Sequence, residues 1–404
     1  MDTWTAKMAA LKIVAVASAL TVLGPAAGGR ADTIQTGYLF ASDYGRSELD
    51  RFQYTYNQTT NKMTGITPYG SGGSTSSAYF LGGGQFPVKE GLQGTGNDLI
   101  IVGGVHGSAV TTFSRYTLEG AFIGQIPVDF SGYNGGNVGI GNVVATPDGH
   151  YIYAPLEGAG YVVKIDLSNG AIVGSAQLAN AHDVALAADG TVYAANYNAA
   201  SAKLVALNAN LDAASMVVLA SANPSGVSGS FRPSGISVAS DGSLYVNDNT
   251  RGGSDSILHY TVSSTGGTLS ATYDATRSYA GSPTNNALEF LFGNNIGPDG
   301  LIYVAALGGG GSGSFSTRDP YVDGIYAFDP GAGTVSRAVA GFSEKGGTFG
   351  PSGLAAPKYL QFDVNFITAN DVGVPEPATL ALLVTALAGL GLRRRAAARH
   401  TMQR

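Results

Sequence analysis

The chain has 404 residues, a formal net charge of −6 and a pI near 5.3, so it carries no basic field to hold nucleic acid or anionic lipid. Charged residues make up only 12% of it, against about 25% in ordinary soluble domains, which leaves Ser, Thr, Asn and Gly to build the surface. There is no cysteine, and that excludes disulfides and thiolate metal sites and leaves stability to the core.

The first segment reads as a secretory signal peptide over residues 1–31. Lys7 and Lys12 precede the apolar run Ile13 to Leu23, which is followed by Pro25 and small residues. That order is the basic, apolar and small-residue plan of an export signal, and the apolar run is too short for a membrane span. Ala31 is the expected cleavage point, with Ala27 as the alternative.

From residue 32 to 366 the chain repeats itself. The stretches "NVVATPDGHYIYAPLEGAGYVVKIDLSNGAIV" (142–173), "DVALAADGTVYAANYNAASAKLVALNANLD" (183–212) and "GISVASDGSLYVNDNTRGGSDSILHYTVSSTGGTL" (235–269) share one plan. So do "NIGPDGLIYVAALGGGG" (295–311) and its continuation "DGIYAFDPGAGTV" (323–335). Each is a short apolar strand, an Asp-Gly turn, an alternating Tyr/Val strand, a polar loop and a third strand. Asp-Gly between alternating runs is a strong hairpin signal, because both residues tolerate positive φ. The turn aspartates Asp148, Asp189, Asp241 and Asp299 stand 41, 52 and 58 residues apart. Degenerate copies lie upstream, at 96–104 and 37–56, and no stretch shows sustained helical periodicity. Four-strand repeats of this length predict an all-β chain folded as a β-propeller, of six blades or, alternatively, seven. The opening "GYLFASD" reads as a second strand lacking its first, and "GPSGLAAPKYLQFDVNF" (350–366) as an opening without a blade behind it. The C-terminal segment is therefore expected to complete the first blade and close the ring.

The copy "RPSGISVASDGSLYVNDN" (232–249) resembles an NHL repeat, with its Pro-x-Gly-Ile, Asp-Gly, Tyr-Val and Asp-x-x-Asn. By the repeat alignment, positions just before each inner strand and just after each second strand surround one mouth of a central channel. They are Asn142, His182, Asp183, Asn196, Asp248, Glu289 and Asn295. Oxygen ligands of this kind suit a hard divalent cation such as calcium. Similarity to the gluconolactonase and senescence-marker propellers implies such an ion, held by Glu, Asn and Asp, polarising a lactone carbonyl while a carboxylate activates water. Against that stands the ordinary use of Asn and Asp as turn residues. The remaining signals are weaker. His106, His150, His182, His259 and His400 form no metal-binding helix motif, and there is no G-x-S-x-G elbow. The run "GGGGSGS" (308–314) lacks the Lys-Ser/Thr of a phosphate loop, and "NDNTRGGSD" (247–255) lacks the ligand spacing and closing Glu of a calcium-binding hand.

A short linker, 367–373, leads to "VPEPATLALLVTALAGLGLRRR" (374–395). Ala378 to Leu392 is uncharged, and as a helix it spans roughly 22 Å, less than the roughly 30 Å of a bilayer core. Pro375 and Pro377 give it a sharp start, and Arg393, Arg394 and Arg395 mark its cytoplasmic end. Residues 396–404 then form a short cytoplasmic tail. The motif Pro375-Glu376-Pro377, the short membrane segment and the arginines resemble the PEP-CTERM sorting signal of Gram-negative bacteria. That resemblance implies an exosortase as partner, acting on a chain exported by the Sec machinery and anchored in the inner membrane until it is processed. The expected product is a non-catalytic binding or structural propeller at the cell surface or in the extracellular matrix. It would associate with exopolysaccharide, biofilm or surface proteins and not with nucleic acid. The alternative is a metal-dependent, lactonase-like or other hydrolytic propeller enzyme.

Overall fold

In the computed structural model the described residues run from Ile34 to Phe362, with gaps at 44–47, 69–91, 96–97, 103–111, 118–121, 135–137, 199, 251–254, 282–287, 289–290, 307–323 and 341–356. They form six four-stranded antiparallel sheets. Blade 1 holds β1 (Ile34–Asp43), β2 (Glu48–Asn57) and β3 (Lys62–Pro68), with β24 (Pro357–Phe362) from the far end of the chain as its innermost strand. Blade 2 is β4 (Leu92–Thr95), β5 (Asp98–Val102), β6 (Thr112–Thr117) and β7 (Phe122–Pro127). Blade 3 is β8 (Val144–Ala145), β9 (Tyr151–Leu156), β10 (Tyr161–Asp166) and β11 (Ile172–Gln177). Blade 4 is β12 (Ala181–Leu186), β13 (Val192–Asn196), β14 (Lys203–Leu207) and β15 (Val217–Ala220). Blade 5 is β16 (Pro233–Val238), β17 (Leu244–Asp248), β18 (Ser256–Thr265) and β19 (Thr268–Tyr273). Blade 6 is β20 (Leu291–Ile296), β21 (Ile302–Ala306), β22 (Gly324–Asp329) and β23 (Thr334–Ala340).

The innermost strands β24, β4, β8, β12, β16 and β20 touch in that order, and β20 touches β24, so the ring closes on itself. Closure comes from β24 pairing with β1 through Leu39↔Phe362 and Ala41↔Leu360, as the two incomplete repeat copies require. The first and last described strands are thereby tied into one sheet, and that blade is complete at the join.

Four hairpins carry the repeat, and their geometry departs from the sequence expectation. Gly149, Gly190, Gly242 and Gly300 have φ between +69° and +88°, but the preceding aspartates do not have positive φ. In each copy the glycine N–H donates three residues back, to Thr146, Ala187, Ala239 or Gly297. The aspartate carboxylate accepts from the N–H two residues on, at His150, Thr191, Ser243 or Leu301. The turn is thus an ordinary β-turn followed by one left-handed glycine, and Asp is chosen for its side-chain acceptor and not for positive φ.

The second strands also differ from a half-exposed alternating strand. β13, β17 and β21 are buried at every position, because each blade is packed between two others. Among the described residues five interblade cores are present. One joins Tyr303, Ala305 and Ile325 of blade 6 to Leu39, Phe52, Tyr54 and Phe362 of blade 1. Another joins Ala185 and Leu204 of blade 4 to Ile236, Val246 and Leu258 of blade 5. Solvent alternation survives only at the periphery, as in the partly exposed β11 and β19.

Near the axis the inner strands approach so closely that side chains are excluded. A Cβ on Gly235 would lie 2.1 Å from the Phe292 carbonyl oxygen, and one on Gly141 would lie 1.9 Å from that of His182. Backbone cannot swing away as a flexible side chain does, so Gly235→Ala is expected to destabilise the protein by about 3 kcal/mol. Gly124→Ala, where nothing lies within 4 Å, is the control and should be near neutral. Ending the chain after Phe349 removes β24 and should lower the melting temperature and promote aggregation through the bare edge of β1. Equal stability of that truncation in thermal unfolding with light scattering would show that β24 is not the closing strand.

Candidate functional site

An innermost strand is paired on one edge only, so its other edge presents backbone groups to the axis that need partners. Here side chains from the first and second strands of neighbouring blades supply them. Asp183 of β12 accepts from the Val184 N–H at 2.7 Å and, across the blade boundary, from the Ile236 N–H at 3.1 Å. Ser234 of β16 donates to the Leu291 carbonyl at 2.6 Å, and Asn247 donates to that of Phe292 at 2.7 Å. Asn294 donates to Asn247 and to the Tyr245 carbonyl, and Asn295 reaches the Leu360 carbonyl and the Gln361 side chain of blade 1. The result is a belt of amides, hydroxyls and one carboxyl stitching blades 4, 5, 6 and 1 together.

Three inner strands are irregular at the same level. The register shifts between Ala181 and Asp183, between Pro233 and Gly235, and between Leu291 and Asn294. Extra residues fall at these shifts, His182 in β12, Ser234 in β16 and Phe292 in β20, in the way that a bulge re-aims a side chain. His182 packs against Phe292 with ring centroids 5.6 Å apart and against Tyr359 at 5.9 Å. Tyr197 lies 5.0 Å from the His182 ring, and the Arg232 guanidinium sits over the Tyr197 ring at 5.9 Å. Blades 4 and 1 face each other across a six-membered ring, so contact between His182 and Tyr359 means that the axis is filled at this level. The imidazole is fixed as well as buried. Nδ1 lies 2.9 Å from the Ser234 carbonyl oxygen, which only accepts, so Nδ1 carries the proton, and Nε2 faces the Tyr359 hydroxyl at 3.4 Å.

Beyond the aromatic layer, toward the ends of the inner strands and the Asp-Gly turns, the axis opens into a cavity of about 480 Å³. Its polar lining includes Tyr56, Asn142, Ser237, Asn294, Asn295 and Gln361, with Ser240 at the rim, and its apolar lining comes from Val143, Val184 and Ile236. Among the described residues the lining contains no Asp, Glu, His, Lys or Arg.

The residues expected at the channel mouth are therefore distributed between different places. Asn142 and Asn295 line the cavity. Asp183 is fully buried beside them, and the Asn142 side chain hydrogen-bonds it. Asn196 is spent on its own loop, donating to Ser201 and accepting from the Asn198 N–H. Asp248 lies at the far end of β17, where it caps the Arg232 N–H at 2.6 Å. Glu289 lies outside the described residues, as do Ala31, Pro375, Glu376, Pro377, Arg393, Arg394 and Arg395. Among the described residues no three His, Cys, Asp or Glu side chains gather where they could hold one metal ion, and no helix is long and apolar enough to cross a membrane. His182, expected at the channel mouth, lies in the aromatic layer; the other rings of that layer, Ser237, Asn294 and Gln361 were not anticipated. The signal that could have found them is the recurrent Gly at the close approach, since the residues around it must face the axis.

Burial acts strongly on the acids of this region. It pushes the Asp183 carboxyl up to about 8, against the opposing donation from Ile236, Asn142 and Val184. It raises Asp255, which accepts from the Leu291 and Thr250 N–H groups, to about 7, and Asp248 to about 6.

Comparison with known proteins agrees at both levels. Residues 373–395 match the PEP-CTERM protein-sorting motif. The fold is similar to a chain of a nidogen/laminin complex, with 14% identity over 81% of this chain and 98% of that one and a TM-score of 0.50. It is also similar to the periplasmic gluconolactonase of Pseudomonas aeruginosa, with 14% identity over 81% and 99% and a TM-score of 0.47. Likeness at this identity speaks to the β-propeller fold alone. No curated protein matches the chain.

A carboxyl raised in the folded state holds its proton to higher pH than in the unfolded chain. Its contribution is thus complete below about pH 4 and is lost as pH rises through the folded value. With Asp183, Asp248 and Asp255 all raised, stability should fall between pH 5 and pH 8. A tenfold difference in proton affinity between the folded and unfolded chain corresponds to about 1.4 kcal/mol. Thermal unfolding across that range checks it: Asp183→Asn, which cannot ionise, should flatten the slope. A wild-type melting temperature that rises steadily from pH 5 to pH 8 would contradict the assignment.

Proposed function

We propose that the mature protein is a non-catalytic binding propeller. The PEP-CTERM motif marks an exported chain, anchored in the membrane before exosortase processing. In this reading residues 1–31 are removed on export, 32–366 are the working domain, 367–373 the linker, 374–395 the sorting segment and 396–404 the cytoplasmic tail. The product acts at the surface or in the matrix of a Gram-negative cell and associates there with exopolysaccharide or surface proteins. The observation that supports binding over catalysis is the cavity lining. Hydrolysis needs a group that moves a proton or a metal that polarises the substrate, and among the described residues the lining offers amides, hydroxyls and apolar side chains.

The competing reading, a calcium-dependent lactone hydrolase, draws on the raised carboxyl of Asp183 next to Asn142. It would take Asn142, Asp183, Asn196, Asp248, Glu289 and Asn295 as its ligand set, with the metal supplying a Lewis acid. Both carboxylate oxygens of Asp183 already accept backbone N–H groups, which favours a structural role for that residue.

Two measurements test the proposal. Calcium at millimolar concentration should leave the melting temperature unchanged, and neither aldonolactones nor their phosphates should be hydrolysed above background. A calcium-dependent turnover lost in Asp183→Ala would establish the enzyme instead. For sorting, Pro375-Glu376-Pro377 replaced by three alanines should accumulate unprocessed in the inner membrane of an exosortase-bearing host. The parent should lose its tail, as read by intact mass on fractionated cells, and identical processing of the two would show that the motif acts only as a hinge.

A further inference from the structure

We infer that the axial cavity is a blind pit that takes the end of a neutral saccharide chain, entering from the face on which the Asp-Gly turns lie. This rests on the binding reading above and adds to it a ligand class, a face and a mode. Three features of the molecule carry it.

The first is the absence of charge among the described residues of the wall. The acids near the axis are buried and bonded to backbone donors: Asp183 to Val184 and Ile236, and Asp255 to Leu291 and Thr250. Against these described walls a peptide terminus, a phosphate or a uronic acid would meet no counter-charge and lose hydration for nothing. A neutral polyol loses only hydroxyl hydration, which amides and hydroxyls replace.

The second is the way in which the polar groups are held. The Asn295 amide donates its N–H bonds to Leu360 and Gln361, and the Gln361 amide donates to the Phe362 carbonyl. Both Asn295 N–H groups and one of Gln361's are engaged, which sets the orientation of the two amides and turns carbonyl oxygen acceptors toward hydroxyl donors. Ser240 adds an exposed hydroxyl at the rim. Val184 and Ile236 supply apolar wall for the C–H faces of a sugar ring. Preorganised acceptors cost little to immobilise when a ligand arrives.

The third is the blind end. His182, Phe292 and Tyr359 fill the axis behind the pit, so a chain has no way to pass through. Only a terminal unit fits, and about 480 Å³ lies within the range of ordinary small-ligand pockets. Internal stretches of a polysaccharide are excluded by the same wall.

The experiment uses the full chain purified in detergent and a panel of neutral trisaccharides: maltotriose, cellotriose, mannotriose, galactotriose and chitotriose. Trigalacturonic acid, calcium chloride alone and a cyclic dextrin serve as separate arms, the last because it has no chain end. Calorimetric titration should show binding of at least one linear neutral trisaccharide, and no comparable binding of the uronic acid, the cyclic dextrin or calcium. Ser240→Trp, which blocks the rim from an exposed position, should weaken that binding about tenfold or more without changing the melting temperature. Asn198→Trp, exposed on the loop after β13 at the opposite end of the inner strands, should leave it within about twofold.

Saccharide binding that survives Ser240→Trp but is lost in Asn198→Trp would overturn the assignment to this cavity while leaving the binding reading intact. Preference for the cyclic dextrin or the uronic acid would overturn the end-on, uncharged mode. Failure of every neutral trisaccharide to bind overturns the inference. If calcium then binds and supports lactone hydrolysis, the binding reading falls with it.

Discussion

The structure depends on how six inner strands satisfy the edge they turn toward the axis. A buried N–H or carbonyl without a partner costs about 1–3 kcal/mol, and one whole edge of each inner strand faces the axis. Strand-to-strand pairing around the ring is not available, because blades meet face to face. The protein solves this with short polar side chains reaching across blade boundaries. Asp183 reaches to Ile236, Ser234 to Leu291, Asn247 to Phe292 and Asn295 to Leu360. These side chains must be small and their neighbours must come close, which is why glycine stands at 235 and 141 with no room for a Cβ.

The same constraint shapes the cavity. At the bulge level the space between strands is filled by rings, and His182 is locked by Ser234 on one nitrogen and Tyr359 on the other. Further along, the belt of Asn and Gln side chains needed for strand edges also lines the open part of the axis. The uncharged character of the described wall is therefore in part a by-product of stitching the ring. The carboxyls that serve this purpose are buried hard enough to be raised, Asp183 to about 8. Each trades electrostatic ease for the ability to accept two N–H groups at once.

Much of this was legible in the sequence, and what was not has a physical reason. Asp148, Asp189, Asp241 and Asp299 announced four hairpins and their spacing announced the blades, because a left-handed glycine after an acceptor side chain leaves few other options. The unmatched "GYLFASD" and "PKYLQF" announced closure, since each is half of something. The face of the site was not legible. Reading an inner strand by its two-residue alternation assumes regular pairing, and the shifts at 181–183, 233–235 and 291–294 break it. A one-residue bulge exchanges the two faces of everything beyond it. Asn196 and Asp248 end β13 and β17 opposite Ala181 and Pro233, where the inner strands start, and serve loops there, whereas Asn142 and Asn295 lie further along the axis and reach the cavity.

Closure and sorting meet at one place in the chain. β24 carries Tyr359, in the aromatic layer, and Gln361, in the wall of the cavity, and ends at Phe362. Ten residues lie between Phe362 and Gly373, where the sorting motif begins, so the eleven steps from one to the other span at most roughly 36–40 Å. The last described strand before the sorting motif is thus the one that completes the ring, and its six residues serve closure, the aromatic layer and the cavity wall at once.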